Sequence, residues 1–180
     1  MNKLIKELET KSFSGEDITD LLDNKTKIVT YPELQKYNSI DKLLSPYDNV
    51  VILYETKKNY GHWVCLIKHK KDNVIEFMDS YGLMPDDELK FVPMHFRISN
   101  DELKSHLTAL LYNCPYDVEY NHYKLQKNTR DVNRKIATCG RHVAVRLLFR
   151  QLRLEPYIKL IKSIKCYDPD EVVTFLTFFK

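Results

Sequence analysis

The apolar positions of this chain change their period along its length. Three short runs rich in Val, Ile, Leu, Tyr and Phe, from Asn49 to Thr56, His62 to His69 and Asn73 to Ser80, have the length and spacing of strands. Ahead of them, "DITDLLDNK" predicts a short helix and "YPELQKYNSIDKLLS" a second helix or a turn region. After them, "GLMPDDELKFVPMHF" carries two prolines and is expected to be a loop. In "SNDELKSHLTALLYN" the apolar residues Leu103, Leu107, Leu110 and Leu111 follow a helical spacing. Ser99 or Asn100 is placed to cap this helix, and acids follow in its first turn. "YDVEYNHYKLQ" predicts a further strand and "KNTRDVNRK" a polar loop. The segment Ile136 to Leu152, "IATCGRHVAVRLLFRQL", predicts a central helix capped by Thr138. Val143, Ala144, Leu147, Leu148 and Leu152 give it so wide an apolar arc that it should be largely buried. Helices over "YIKLIKSIK" and "DPDEVVTFLTFF", the latter with Asp170 just before its apolar run, complete an α+β plan.

Composition narrows the picture. A chain of 180 residues is expected to form a single domain, 1–180. With only 4 Gly, collagen-like repeats and glycine-rich linkers are excluded. The formal charge of +3 is too small to argue for a nucleic-acid partner by itself. The N-terminal "MNKLIKELETKSFSG" lacks the apolar core of a signal peptide. No run reaches the roughly 18 apolar residues of a membrane span, so no membrane partner is expected. The four cysteines, Cys65, Cys114, Cys139 and Cys166, form no CxxC pair. Neither a zinc site nor a disulfide framework is expected, no metal or cofactor is called for, and a reducing compartment suits the spacing.

Candidate chemistry lies in the hairpin and the central helix. If Lys70 and Lys71 form a two-residue turn, opposed residues have numbers that sum to 141. Lys68 then faces Asn73, Leu66 faces Ile75, Val64 faces Phe77, and His62 faces Asp79. A longer turn keeps His62 and Asp79 on one face if its length is even and separates them if it is odd. A carboxylate beside an imidazole fixes its tautomer and steadies the imidazolium, as a general base requires; the plainer reading is a surface ion pair. Cys139 stands at a helix start, where free N–H groups and the macrodipole favour a thiolate. Gly140 admits a close backbone or substrate approach, and its amide points toward the place an oxyanion would occupy. Packing is the competing explanation for this thiol, as it is for Cys65 in mid-strand. Cys114, before Pro115, is the second choice of nucleophile.

The order "GHWV" at 61–64, "FMDSYG" at 77–82, "LQ" at 125–126 and "TCGRHV" at 138–143 resembles the adenain-type cysteine proteases, which include the SUMO-specific proteases. The resemblance covers roughly residues 50–155 and is greatest to capsid-maturation proteases of large DNA viruses and virophages. It implies a mixed central sheet packed on a central helix that bears the nucleophile at its N-terminus. It implies Cys139 as nucleophile, His62 as general base, Asp79 as the acid orienting it, and Gln126 as oxyanion donor beside the Cys139 N–H. Trp63 follows the base and either covers the oxyanion site or is a core aromatic. The sequence departs from the pattern in the stretch between Gln126 and Cys139, which is longer than in the better-known relatives; "KNTRDVNRKIA" is the candidate insertion.

The function so implied is a viral cysteine endopeptidase that cleaves capsid or other structural precursors at small-residue, Gly-Gly-like sites during virion maturation. Its substrates are viral polypeptides, its place the virion and the viral factory in the host cytoplasm, and DNA or an activating peptide stays open as a further partner. A protease for ubiquitin-like modifiers is the alternative, followed by an acetyltransferase effector and a non-catalytic binding protein on the same fold. One feature bears on DNA: His142, Arg146, Arg150 and Arg153, spaced by four, four and three residues, with Lys159, Lys162 and Lys165 beyond. This stripe reads either as a polyanion-binding face or as a solvated or acid-paired side of the helix.

Overall fold

A computed structural model describes residues 2–100, 103–127 and 135–178. Its centre is a five-stranded mixed sheet in the order β1 (Lys27–Thr30), β2 (Asn49–Lys57), β3 (Tyr60–His69), β4 (Val74–Met78) and β5 (Asp117–Tyr120). The outer pairs β1/β2 and β4/β5 are parallel, while β2/β3 and β3/β4 are antiparallel hairpin pairs. The central strands β2, β3 and β4 are buried on both faces because helices cover the middle of the sheet on both sides. Val51, Leu53, Cys65, Ile67 and Met78 enter one core with α2 (Gly15–Leu21), α6 (Cys139–Leu148), α7 (Leu154–Ser163) and α8 (Pro169–Leu176). The alternate residues, among them Val50, Ile52, Val64, Leu66, Ile75 and Phe77, enter a second core. That core is closed by a 3-10 turn at Tyr31–Lys36, by α3 (Ile40–Leu44) and by α5 (His106–Tyr112). The helices α1 (Asn2–Leu8) and α4 (Met94–Ser99) complete the set, so the α+β plan stands.

Several expectations need correction. The β3–β4 turn has four residues, Lys70 to Asn73, so opposed residues sum to 143: Leu66 faces Phe77 and Lys68 faces Ile75. Asn73 takes a positive φ of 58° within this turn, which an asparagine tolerates. The turn length is even, so the inward and outward faces are those expected. The helix expected from Ser99 onward begins only at His106, and Leu103 is solvent-exposed. The proline-containing loop holds a 3-10 turn at Asp87–Phe91 and the start of α4. The strand β1 and the helix α1 were not foreseen. The cap of α8 is Asp168, whose side chain accepts from Glu171 N–H in a capping box, which frees Asp170 to turn inward. The loop expected over 127–135 falls at positions 128–134 outside the described residues.

The basic stripe resolves into ion pairs. Arg146 is fully buried and grips Glu76 with two bonds of 2.6 Å, while His142 is fully buried against Asp170 at 3.0 Å. Arg153 pairs with Glu119 and Asp72. Of the four only Arg150 is exposed, so the stripe is no polyanion-binding face. His142 and Arg146 serve the interior because α6 is covered by the sheet and by α2 and α8 rather than lying open on one side.

Candidate functional site

The central helix starts at Cys139, and everything from Cys139 to Leu147 is buried. Thr138 occupies the N-cap position but does not cap: its hydroxyl goes to Asp170 at 2.5 Å, so the first N–H groups of the helix are not taken by that side chain. The helix N-terminus opens into a cleft of about 660 Å³ whose lining includes Cys139, His62, Trp63 and Gln126. Four residues chosen from the sequence thus meet in one cavity. Asp79 stands directly behind His62.

His62 sits near the start of β3, and its Nε2 lies 3.1 Å from Asp79 Oδ1. The ladder of β3 and β4 ends at Met78. Carrying its register onward sets Tyr81 opposite His62, with Asp79 the diagonal neighbour on the same face. The Tyr81 ring stacks on the imidazole accordingly, centroids 4.7 Å apart. Asp79 is held on both sides: its Oδ1 accepts from Tyr81 N–H at 2.7 Å, and its carbonyl accepts from Asn121 Nδ2 at 2.6 Å. Burial alone would lower the affinity of His62 for its second proton. Asp79, by charge and hydrogen bond, and the Cys139 thiol in the same cleft outweigh burial and raise the imidazole well above its ordinary range. Nε2 is committed to Asp79, so Nδ1 is the nitrogen left for the thiol.

Gln126 follows β5 and is 1 % exposed. Ser80, the residue after Asp79, accepts the N–H of Gln126 on its carbonyl at 2.9 Å and donates its hydroxyl to Gln126 Oε1 at 2.7 Å. With its oxygen engaged, the side-chain amide offers its N–H groups to the cleft. Asp170 ties the two halves together from below. It accepts from Thr138, one residue before Cys139, and from the N–H of Lys127, one residue after Gln126, at 2.9 Å. These bonds and its pairing with His142 outweigh burial and keep its carboxyl below the usual carboxylate range.

Two expectations change at this site. A Cβ on Gly140 would lie 2.8 Å from Phe13 Cβ and 3.2 Å from Trp63 Cδ1, so this glycine makes room for packing and not for a substrate. Trp63 is 7 % exposed and donates its indole N–H to Phe13 carbonyl at 3.1 Å, as a core aromatic does, and it also lines the cleft. Sequence reasoning missed Ser80, Asn121, Asp170 and Glu88. Ser80 adjoins Asp79 and was within reach of a motif argument; the other three arrive from distant segments. Cys65 is fully buried and its thiol is pushed up by that burial, the behaviour of a core residue.

Among the described residues, two groups have ligating atoms close enough to hold a metal ion: His62, Asp79 and Glu88, and Glu9, Asp168 and Glu171. An ion in the first would take His62 Nε2 from Asp79. In the second, Asp168 and Glu171 cap α8 and Asp168 also pairs with Lys127.

A thiol at a helix start, an imidazole in the same cleft, a carboxylate behind the imidazole and an oriented amide make up the side-chain set of a cysteine hydrolase. The chain belongs to the same family as the "Uncharacterized protein V9" of Sputnik virophage, to which it is 43 % identical over 178 residues, covering 97 % of this chain and 99 % of that protein. No protein-family model matches. Among solved structures, the chain is similar in fold to the ASFV pS273R protease, with 14 % identity, a TM-score of 0.49 and coverage of 93 % of this chain and 67 % of that one. It is also similar to the C-terminal Ulp1 protease domain in complex with Smt3, the yeast ortholog of SUMO, with 14 % identity, a TM-score of 0.42 and coverage of 94 % and 78 %.

Proposed function

We propose that this chain is a viral cysteine endopeptidase that cleaves polypeptide precursors of the particle at small-residue, Gly-Gly-like sites during virion maturation. The observation that carries the reading is the convergence of Cys139, His62 and Gln126 on one cleft with Asp79 behind His62. Cys139 Sγ attacks the scissile carbonyl carbon and His62 holds the thiol proton. The tetrahedral oxyanion is received by Gln126 Nε2 and the Cys139 N–H. Collapse expels the amine, which takes the proton from His62, and leaves a thioester; water, activated by the neutral imidazole, then releases the acid and restores the thiol. Phe13, Trp63 and Tyr81 wall the cleft with rings, which supports a preference for residues without bulk beside the scissile bond. Family membership with a virophage protein supports a role in the particle or the viral factory.

The test combines a fluorogenic Gly-Gly peptide with iodoacetamide labelling and peptide mapping. Cys139 is expected to be alkylated before Cys114 and Cys166, and its reactivity is expected to be lost in His62→Ala. Because the folded site raises His62 above its ordinary range, the imidazolium outlasts that range as pH increases. The cleavage rate should hold through neutrality and fall only when pH passes this raised value. A decline centred in the ordinary histidine range, near pH 6.5, would contradict it. Reaction with SUMO or ubiquitin vinyl-sulfone probes instead of peptide cleavage would move the substrate to ubiquitin-like proteins.

Gln126→Ala is expected to reduce kcat by about 10²–10³-fold with little change in KM, because the amide acts on charge that develops only in the transition state. Steady-state kinetics on the same peptide measure this. Ser80→Ala, which leaves the Gln126 amide free to turn, should produce a smaller loss of the same kind.

A further inference from the structure

Asp79 has company beside His62. Glu88, on the 3-10 turn Asp87–Phe91, places its Oε1 4.0 Å from the same Nε2. It is 6 % exposed and lines the cleft. Oε1 is buried without a hydrogen-bond partner, and so is Asp79 Oδ2. The ligating atoms of His62, Asp79 and Glu88 all lie within 4.8 Å of one another. A buried carboxylate oxygen without a donor is costly, and its presence calls for a reason. The turn that carries Glu88 supplies none: it is closed by backbone bonds, Leu89 N–H to Asp86 carbonyl and Val92 N–H to Leu89 carbonyl.

We propose that Glu88 is a second positioning carboxylate for His62, sharing with Asp79 the hold on the imidazolium and accepting the Nε2 proton when Asp79 cannot. The inference rests on the reading of His62 as the general base. Nε2 carries one proton, so only one acid can accept it at a time. Asp79 does so at 3.1 Å, and Glu88 stands 0.9 Å farther off (4.0 against 3.1 Å), a gap that a side-chain rotation closes. Burial raises the Glu88 carboxyl; His62 opposes that rise and Asp79 adds to it, the pattern of two acids competing for one cation. The other groups around Glu88 are Tyr81, stacked on the imidazole, and Cys139 across the cleft; on its own turn Lys90 and Asp87 act in opposite directions. An ionised Glu88 keeps the ring protonated to higher pH than Asp79 alone does.

A double-mutant cycle tests this. Glu88→Gln, Asp79→Asn and the double variant are assayed with the Gly-Gly peptide across pH, and the His62 ring is titrated by NMR in each variant carrying Cys139→Ala. Glu88→Gln should slow cleavage a few-fold and move both the alkaline limb and the ring titration to lower pH, and Glu88→Asp should restore most of each. Asp79→Asn should cost about tenfold more when Glu88 is already Gln than when it is Glu, since coupled residues depart from additivity on this scale. Independent effects, within about twofold, together with an unchanged ring titration, overturn the proposal. If the wild type cleaves no peptide, the peptidase reading fails, and the NMR titration still decides: a lower midpoint in Glu88→Gln supports the second carboxylate and an unmoved one refutes it. Thermal melts confirm folding, and Glu88→Ala replaces Glu88→Gln in the same comparison if the latter does not fold.

Discussion

Cys139→Ala is expected to abolish peptide cleavage, a loss on the order of 10⁶-fold in kcat, while leaving the fold intact. The loss is large because the cleft offers no other thiol to take the acyl group: Cys139 is the one cysteine among the residues lining it. The fold should survive because the change removes a single sulfur atom at the end of a helix. That helix is held by Val143, Ala144, Val145 and Leu147 in the core, and by Thr138 and His142 on Asp170. His62→Ala should be nearly as damaging, since the thiol loses its proton acceptor and the leaving amine its donor. Cys114→Ala and Cys166→Ala should be silent; one thiol is half-buried and bonded to Tyr116 carbonyl, the other is exposed, and neither lines the cleft. The measurements are peptide hydrolysis with circular dichroism and a thermal melt. Retained cleavage in a folded Cys139→Ala protein would remove this thiol from the mechanism.

The second large effect concerns stability. Arg146→Leu should cost about 3–5 kcal/mol, the usual consequence of stripping one partner from a buried ion pair. At this chain length that lowers Tm by roughly 6–20 °C. Arg146 and Glu76 are both fully buried and share two bonds of 2.6 Å. The guanidinium also donates to the carbonyls of Phe149 and Leu152 and lies 4.7 Å from the centroid of the Tyr157 ring. Glu76 receives His69 as well, at 2.9 Å. The pair joins β4 to α6, the elements that lead to Asp79 and carry Cys139, so its loss should loosen the site along with the core.

The pH dependence of that loss has a definite sign. Burial by itself would raise the Glu76 carboxyl, but the hydrogen bonds from His69 and Arg146 prevail and lower it. In the wild type this acid therefore contributes stability above its unfolded value, and that contribution fades as pH falls through the lower folded one. Without Arg146, His69 alone is left to oppose burial, and the carboxyl moves upward. The deficit of Arg146→Leu should then shrink as the solution is made acidic enough to protonate Glu76. Adding Glu76→Gln should recover much of the lost Tm at neutral pH. A deficit that is the same at every pH, unrelieved by Glu76→Gln, would show that the pair contributes packing alone.

What the amino-acid sequence determined here is local or periodic. Strand-length apolar runs define β2, β3 and β4, and the even turn between β3 and β4 keeps His62 and Asp79 on one face even though their register is shifted by two. A cysteine at the start of an apolar helical run locates the thiol without knowledge of its neighbours. The rest was decided in three dimensions. β1 is four residues long and parallel to β2, with no turn signal to announce the pairing. The charges along α6 look like a solvent face in one dimension; Glu76 and Asp170, 70 and 28 residues away in the chain, make them interior. Gly140 invites a substrate when read locally, and Phe13 and Trp63 fill that space. Glu88 reaches His62 only because a 3-10 turn folds over the end of the sheet. Periodicity records which side of an element is apolar; which distant charge or ring meets that side depends on packing, and that is where burial, pairing and the second acid of this site arise.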